Sequence, residues 1–318
     1  MHRLITPLTL PLLILLLHPL PTHAQQQQRC QWATLRSATD SVLETLQTGL
    51  RSTTTLPAIF SSPDLAYTYN GTPLPLPLAG SGSAANSSGS GSSVLAAPLA
   101  ISVAHSVVDQ DRCAAFIKAV GYPAEEAQTA GGVVVVGAQV WYNYTASVGA
   151  TVRRMDVVVA AEGGWNMPVG LDGEVLVGLV EGEDWGALSR AVQDGRAVLE
   201  GVAGGYLDLL GGGSGGDGDG GGNGTGVVWG RPCARLEGSV YTAVGETESC
   251  EMGLEISENG EGITERQFVV DESVGSVSVL ARDGRHGGSP TLFEFRVVKG
   301  ALRYVHQFAA KALAETDD

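Results

Sequence analysis

The residues best placed to do chemistry lie toward the C-terminus: His306 and Tyr304, with Asp271 and Glu272 upstream of them. An imidazole that titrates near neutral pH, set beside a carboxylate, can take a proton from a bound molecule and return it. These four form the expected catalytic set. The same residue types also suit a hydrogen-bonded core histidine, with Asp271 and Glu272 at a solvated strand end. A second polar group, His105, Asp109, Asp111 and Arg112 in HSVVDQDRC, reads either as the rim of another pocket or as a capped helix entry, with Asp109 or Asp111 accepting backbone N–H bonds.

Other motifs fail on their context. Gly212-Gly213-Ser214-Gly215-Gly216 spells a nucleophile elbow, but that turn needs a strand before it and a helix after it. Here a helical pattern precedes and DGDGGG follows. Asp217 and Asp219 hint at calcium, yet Val228 stands where an EF-hand loop needs its glutamate. Repeat-type calcium sites need tandem copies. No Cys-x-x-Cys or histidine pair at ligand spacing is present, so no metal or cofactor is expected. Trp141, Tyr142, Tyr144 and Trp165 can stack on a flat ligand or fill a core.

The element expected to position His306 is a hairpin, LFEFRVV–Lys299-Gly300–ALRYVHQF. Glycine second in a two-residue turn suits the twist of paired strands. Counting outward predicts the pairs Val297–Leu302, Phe295–Tyr304 and Phe293–His306. Those six side chains then share one face, with Glu294, Arg296, Arg303 and Gln307 on a wet face opposite. Strands are also predicted over Arg266–Asp271, Gly275–Arg282, Leu65–Tyr69, Gly131–Thr145 and Arg153–Ala161, with Val94–Val108 apolar and β-branched. Helices are predicted over Trp32–Leu50, Ala114–Val120 and Arg190–Leu210, the last with Val198, Val202, Tyr206 and Leu209 on one stripe, and Gly182–Leu188 as the start of a helix.

The N-terminus reads as a secretory signal over residues 1–24: Met1-His2-Arg3, then an apolar run Leu4–Leu17, then Thr22-His23-Ala24. Fourteen residues fall short of the roughly 20 that a bilayer requires. The rest divides into an α+β unit over residues 25–180 and another over residues 181–318. Each carries a glycine-rich insert with little to bury, expected to be disordered, at 80–93 and 211–226. VVGAQVWYNY with VRRMDVVVAAEGGW lines up loosely with VGSVSVLARDG and LFEFRVVKGALRYVH, which suggests a repeat. Four cysteines in an exported chain favour two disulfides over a metal site. Neighbourhood in the sequence favours Cys30–Cys113 and Cys233–Cys250. Sequons stand at Asn70, Asn86, Asn143 and Asn223. A net charge of −15 with three lysines makes nucleic acid and anionic membranes poor partners.

VVWGRPCARLEG, QFVVDESVGSVSVL and FEFRVVKGALRYVHQF resemble the signature blocks of an uncharacterised family of secreted fungal proteins. CQWATLRSATDSVLETL and AVLEGVAGGYLDLL resemble its helices. The resemblance covers most of the chain outside the inserts and implies no established activity. It implies two tandem SnoaL-like, nuclear-transport-factor-like cones (the cystatin-like α+β type), each a curved antiparallel sheet covered by helices around a pocket. In the SnoaL-like group, pocket histidines and aspartates do proton-transfer chemistry. One position departs: Phe293 stands where a histidine is implied, so no chemistry resting on a histidine there carries over. The expected function is binding of a small apolar or aromatic ligand near His306 with acid/base chemistry. The alternative is a non-catalytic, effector-type interaction protein whose pocket is filled by its own side chains.

Overall fold

The computed structural model describes residues 30–49, 58–76, 97–124, 132–145, 149–212, 227–243, 250–251, 253–257 and 260–310. The expected signal, the insert at 80–93 and nearly all of that at 211–226 lie outside them, as do Asn86 and Asn223. The described residues form a mixed α+β fold with three helices and two six-stranded sheets. The first unit runs α1 (Trp32–Thr48), β1 (Ala66–Tyr69), β2 (Thr72–Pro73), β3 (Leu99–Asp109), β4 (Ala114–Pro123), β5 (Val134–Thr145) and β6 (Gly149–Ala161). After α2 (Gly173–Glu181) come α3 (Arg196–Leu210), β7 (Trp229–Glu237), β8 (Val240–Ala243), β9 (Ile263–Asp271), β10 (Ser276–Asp283), β11 (Ser289–Val298) and β12 (Ala301–Ala309).

The sheet orders are β2-β1-β6-β5-β4-β3 and β8-β7-β12-β11-β10-β9, one pattern repeated. In each, the first strand pairs parallel with the last and the other neighbours are antiparallel. The repeat expected from sequence is therefore present, but β5 corresponds to β11 and β6 to β12, not β5 to β10. Apolar β-branched strands look alike, so composition alone misaligned them by one.

Helices α1 and α3 each cover the outer face of one sheet, while α2 sends Leu176 and Val180 into the cluster between the sheets. Leu35, Val42 and Leu46 of α1 pack on Ile117, Val136 and Met155, and Leu199, Val202 and Tyr206 of α3 pack on Val279, Phe295 and Val305. Val198, expected on that stripe, is exposed, as is Trp32. The inner faces of the two sheets bury Phe116, Val135, Val158, Val269, Leu292 and Phe308 against each other. Gly137 lies in this seam against Leu292, since a Cβ there would lie 2.1 Å from Leu292 Cδ2. The result is four layers, helix–sheet–sheet–helix, with the sheets' inner faces as the central seam.

That seam explains two corrections. Ala114–Val120 is strand, not helix: both its faces are covered, so it is apolar at every position except Lys118 and shows no alternation. Residues 182–195 are irregular, and the helices flanking them are α2, capped by Asp172, and α3. The helix expected from Arg190 starts at Arg196, where Glu272 Oε1 accepts from the first-turn N–H of Arg196 at 2.6 Å. The cysteines pair as expected, Cys30 with Cys113 and Cys233 with Cys250. Asn143 is exposed on β5, whereas Asn70 sits in the β1–β2 turn with its Oδ1 accepting from Val159 N at 2.8 Å.

Candidate functional site

The terminal hairpin turns at Lys299-Gly300 and pairs Val297 with Leu302 as expected. Then a bulge at Arg303 shifts the register by one. Phe295 pairs with Val305, Arg296 with Tyr304 and Glu294 with His306. Phe293, Phe295 and Val297 face α3, while His306 and Tyr304 move to the face of Glu294 and Arg296. That face is not wet. Glu294, Arg296 and His306 are all buried, because the other sheet covers them.

What meets them comes from the first unit. Lys118 of β4, 1% exposed, places Nζ 2.7 Å from Glu294 Oε2 and against Nδ1 of His306. His105 of β3 sets Nε2 against the other Glu294 oxygen. Glu183, in the segment after α2, lies 2.7 Å from His306 Nε2 and accepts the Tyr241 hydroxyl. The chain of polar groups runs Tyr241–Glu183–His306–Lys118–Glu294–His105. A lysine ammonium against Nδ1 makes that nitrogen the acceptor and leaves the proton on Nε2, facing Glu183.

The electrostatics follow from burial and pairing. Burial alone raises a carboxyl, but at Glu294 it is outweighed by His105 and Lys118, which hold it well below the usual range. Glu183 is lowered against the same burial by His306, Lys118 and Tyr241. Burial first and Lys118 second push His306 down, against the opposing pull of Glu183 and Glu294, so the ring is neutral. Its folded value lies below its unfolded one. That contribution to stability is therefore complete above about pH 6.5 and is lost as pH falls. Glu183 and Glu294 act in the same sense further toward acid, and half-buried His286, lowered first by its burial, adds to the first stage. Glu237, raised by burial, acts oppositely. Thermal unfolding is thus expected at lower temperature at pH 5.5 than at pH 7; an unchanged or higher melting temperature contradicts a neutral, sealed His306.

The cluster has an aromatic lid. Trp185 lies 5.1 Å from the His105 ring at 19°, 5.2 Å from His306 and 5.5 Å from Tyr304, with Lys118 Nζ 4.8 Å from its ring centre. Its indole N–H donates to Glu183 at 2.7 Å. Arg296 holds the strap by donating to Gly186 O at 2.7 Å. Around Trp185, the strap residues Gly182, Asp184, Gly186 and Ala187 are exposed.

Of the expected catalytic set, His306 and Tyr304 are brought together, and Asp271 and Glu272 bond elsewhere. Asp271 accepts from Val108 N at 3.3 Å and Ser273 N at 2.9 Å, and Glu272 caps α3. Asp109 mirrors Asp271: it accepts from Val270 N at 3.0 Å and, in its own turn, from Arg112 N at 3.0 Å. Asp109 accepts backbone N–H bonds as expected, but the expected helix entry is instead a turn into strand β4. Asp111 lies 3.6 Å from Arg196 and Arg112 pairs with Glu200 at 3.0 Å. Sequence reasoning missed Lys118, Glu183, Trp185 and Glu294. A lone lysine inside AAFIKAV was the available signal.

Residues 192–309, from just before α3 to the end of β12, match the family model of a domain of unknown function, DUF8021. No curated protein matches the chain. The matched stretch supplies Glu294, Tyr304 and His306; His105, Lys118, Glu183 and Trp185 lie ahead of it.

Proposed function

We propose that this is a secreted protein that binds a small apolar or aromatic molecule in the place the Trp185 ring fills, with His306 relaying protons there. The observation that carries this reading is the setting of that indole. A flat ring lies between His105, Tyr304 and His306, over the Lys118 ammonium, on a strap whose neighbouring residues are exposed. Imidazole stacking and a cation over a ring face suit any planar guest. When the strap lifts, Glu183 leaves with it. His306 then keeps a proton on Nε2 beside the guest, with Lys118 and Glu294 behind it to take up the charge change. The equal strand orders, each with a helix across one face, support two SnoaL-like cones joined back to back. Two disulfides support an oxidising, extracellular setting. Among the described residues no helix is long and apolar enough to cross a membrane.

Trp185→Ala tests the reading. The folded variant is expected to bind indole at least about tenfold more tightly than the wild type, by calorimetry, since the internal competitor is gone. Indole binding that also depends on Tyr304, lost in Tyr304→Ala, places it at this site. A folded Trp185→Ala protein that binds no planar aromatic supports the effector-type alternative instead, with the ring as a permanent plug.

A further inference from the structure

The two units are related by an internal two-fold, and the registers give the equivalent residues. The turns Asp109–Ala114 and Asp271–Ser276 match in length and exchange reciprocal bonds through their aspartates. Counting from them, His105 opposite Lys118 corresponds to Gln267 opposite Leu280. Trp141, opposite Ala114 and Arg154, corresponds to Arg296, opposite Ser276 and Tyr304. The groove under the strap is lined by His105, Arg296 and Tyr304. Its counterpart must be lined by Gln267, Trp141 and Arg154.

Those three residues do line one cleft, and no strap of the described residues fills it. The cleft measures about 580 Å³, within the range of small-molecule sites. Arg112, Arg153, Arg154 and Arg266 surround it, with Asp64 as the single lining carboxylate. Four of the chain's sixteen arginines thus converge on one opening in a protein of net charge −15. Glu200, Asp208 and Asp156 each hold one edge of Arg112, Arg266 and Arg154, at 3.0, 2.7 and 2.7 Å. Arg153 is exposed and has no carboxylate partner among the described residues. Trp141 brings a buried indole N–H with no acceptor. Arg112 also donates to Phe268 O at 3.0 Å and Arg266 to Ile263 O at 2.8 Å; Arg153 and the remaining guanidinium edges have no counterpart among the described residues, and crowded like charge is costly unless something neutralises it.

We propose that this second cleft binds a small organic oxyanion, a carboxylate or a phosphate ester, with its body against Trp141. The groove under the strap shows the same logic from inside the chain: there an acidic, aromatic segment, Glu183-Asp184-Trp185, fills the equivalent space over Lys118, His105 and Arg296. A general acidic surface does not oppose this, because the arginines are local and partly shielded from the bulk.

Calorimetric titration at low salt with citrate, inorganic phosphate and glucose tests it, before and after enzymatic removal of any N-glycan, since the sequon residue Asn143 lines the cleft. At least one of the two anions is expected to bind and glucose not to. Arg153→Gln should weaken that binding several-fold, and Arg153→Gln with Arg266→Gln at least tenfold, with circular dichroism unchanged. Which anion is tighter assigns the headgroup. Equal affinity in the wild type and the folded double variant, or no anion binding by deglycosylated wild type, overturns the proposal. Trp185→Ala should leave anion binding intact, so the two sites succeed or fail separately.

Discussion

Glu294→Ala is expected to lower the unfolding free energy by about 3–5 kcal/mol, a loss typical of breaking a buried pair by removing one partner. The reason is what it strands. Lys118 is 1% exposed and Glu294 wholly buried, so the lysine has no water to fall back on. Its other neighbours are His306, itself neutral, and the face of Trp185. Glu183 is committed to His306 and Tyr241. The variant must therefore deprotonate Lys118, open the seam to water, or unfold more easily. Glu294→Gln combined with Lys118→Met removes both charges at similar volume and should recover most of the loss. Urea unfolding of Glu294→Gln, Lys118→Met and the double variant measures the coupling. A loss below about 1 kcal/mol in Glu294→Ala means that water already reaches Lys118, and the description of a sealed cluster is then wrong.

The same pair shows where sequence reasoning stops. The turn at Lys299-Gly300 and the helix over Trp32–Thr48 rest on local chemistry, the cysteine pairs on count and placement, and the two like units on a repeated pattern, and all are legible. The face that His306 occupies is not. It depends on whether one residue, Arg303, is accommodated as a bulge, and side-chain period two turns that single residue into opposite faces. The two-layer seam is equally hidden. Glu294 and Arg296 alternate with Phe293 and Phe295, a pattern that in one sheet means a wet face, and only a second sheet makes it an interior. The cluster itself joins residues 105, 118, 183, 294 and 306, which nothing in local pattern connects. Lys118 alone breaks an apolar run in a chain of three lysines, and that is the trace the cluster leaves in the sequence.

Removing the Cys30–Cys113 bond, by serine at both positions, should cost about 4–5 kcal/mol, against about 3 kcal/mol for Cys233–Cys250. The difference follows from separations of 83 and 17 residues, since a longer closed loop restricts the unfolded chain more. Local structure adds to the first. Cys30 stands directly ahead of α1, whose N-cap Gln31 makes no side-chain cap bond and whose first turn has no acidic residue. The helix start is held by the disulfide and by Cys30 N donating to Gln110 O at 3.1 Å. Without the bond, Leu35, Val42 and Leu46 must keep α1 on sheet one by packing alone. Amide exchange in α1 should then rise more than in β4 or β5, whose protection comes from neighbours on both sides. Equal losses for the two cysteine pairs would show that the tether does not act through the freedom of the open chain, and exchange that rises no more in α1 than in the sheet would show that the bond does not hold the helix start.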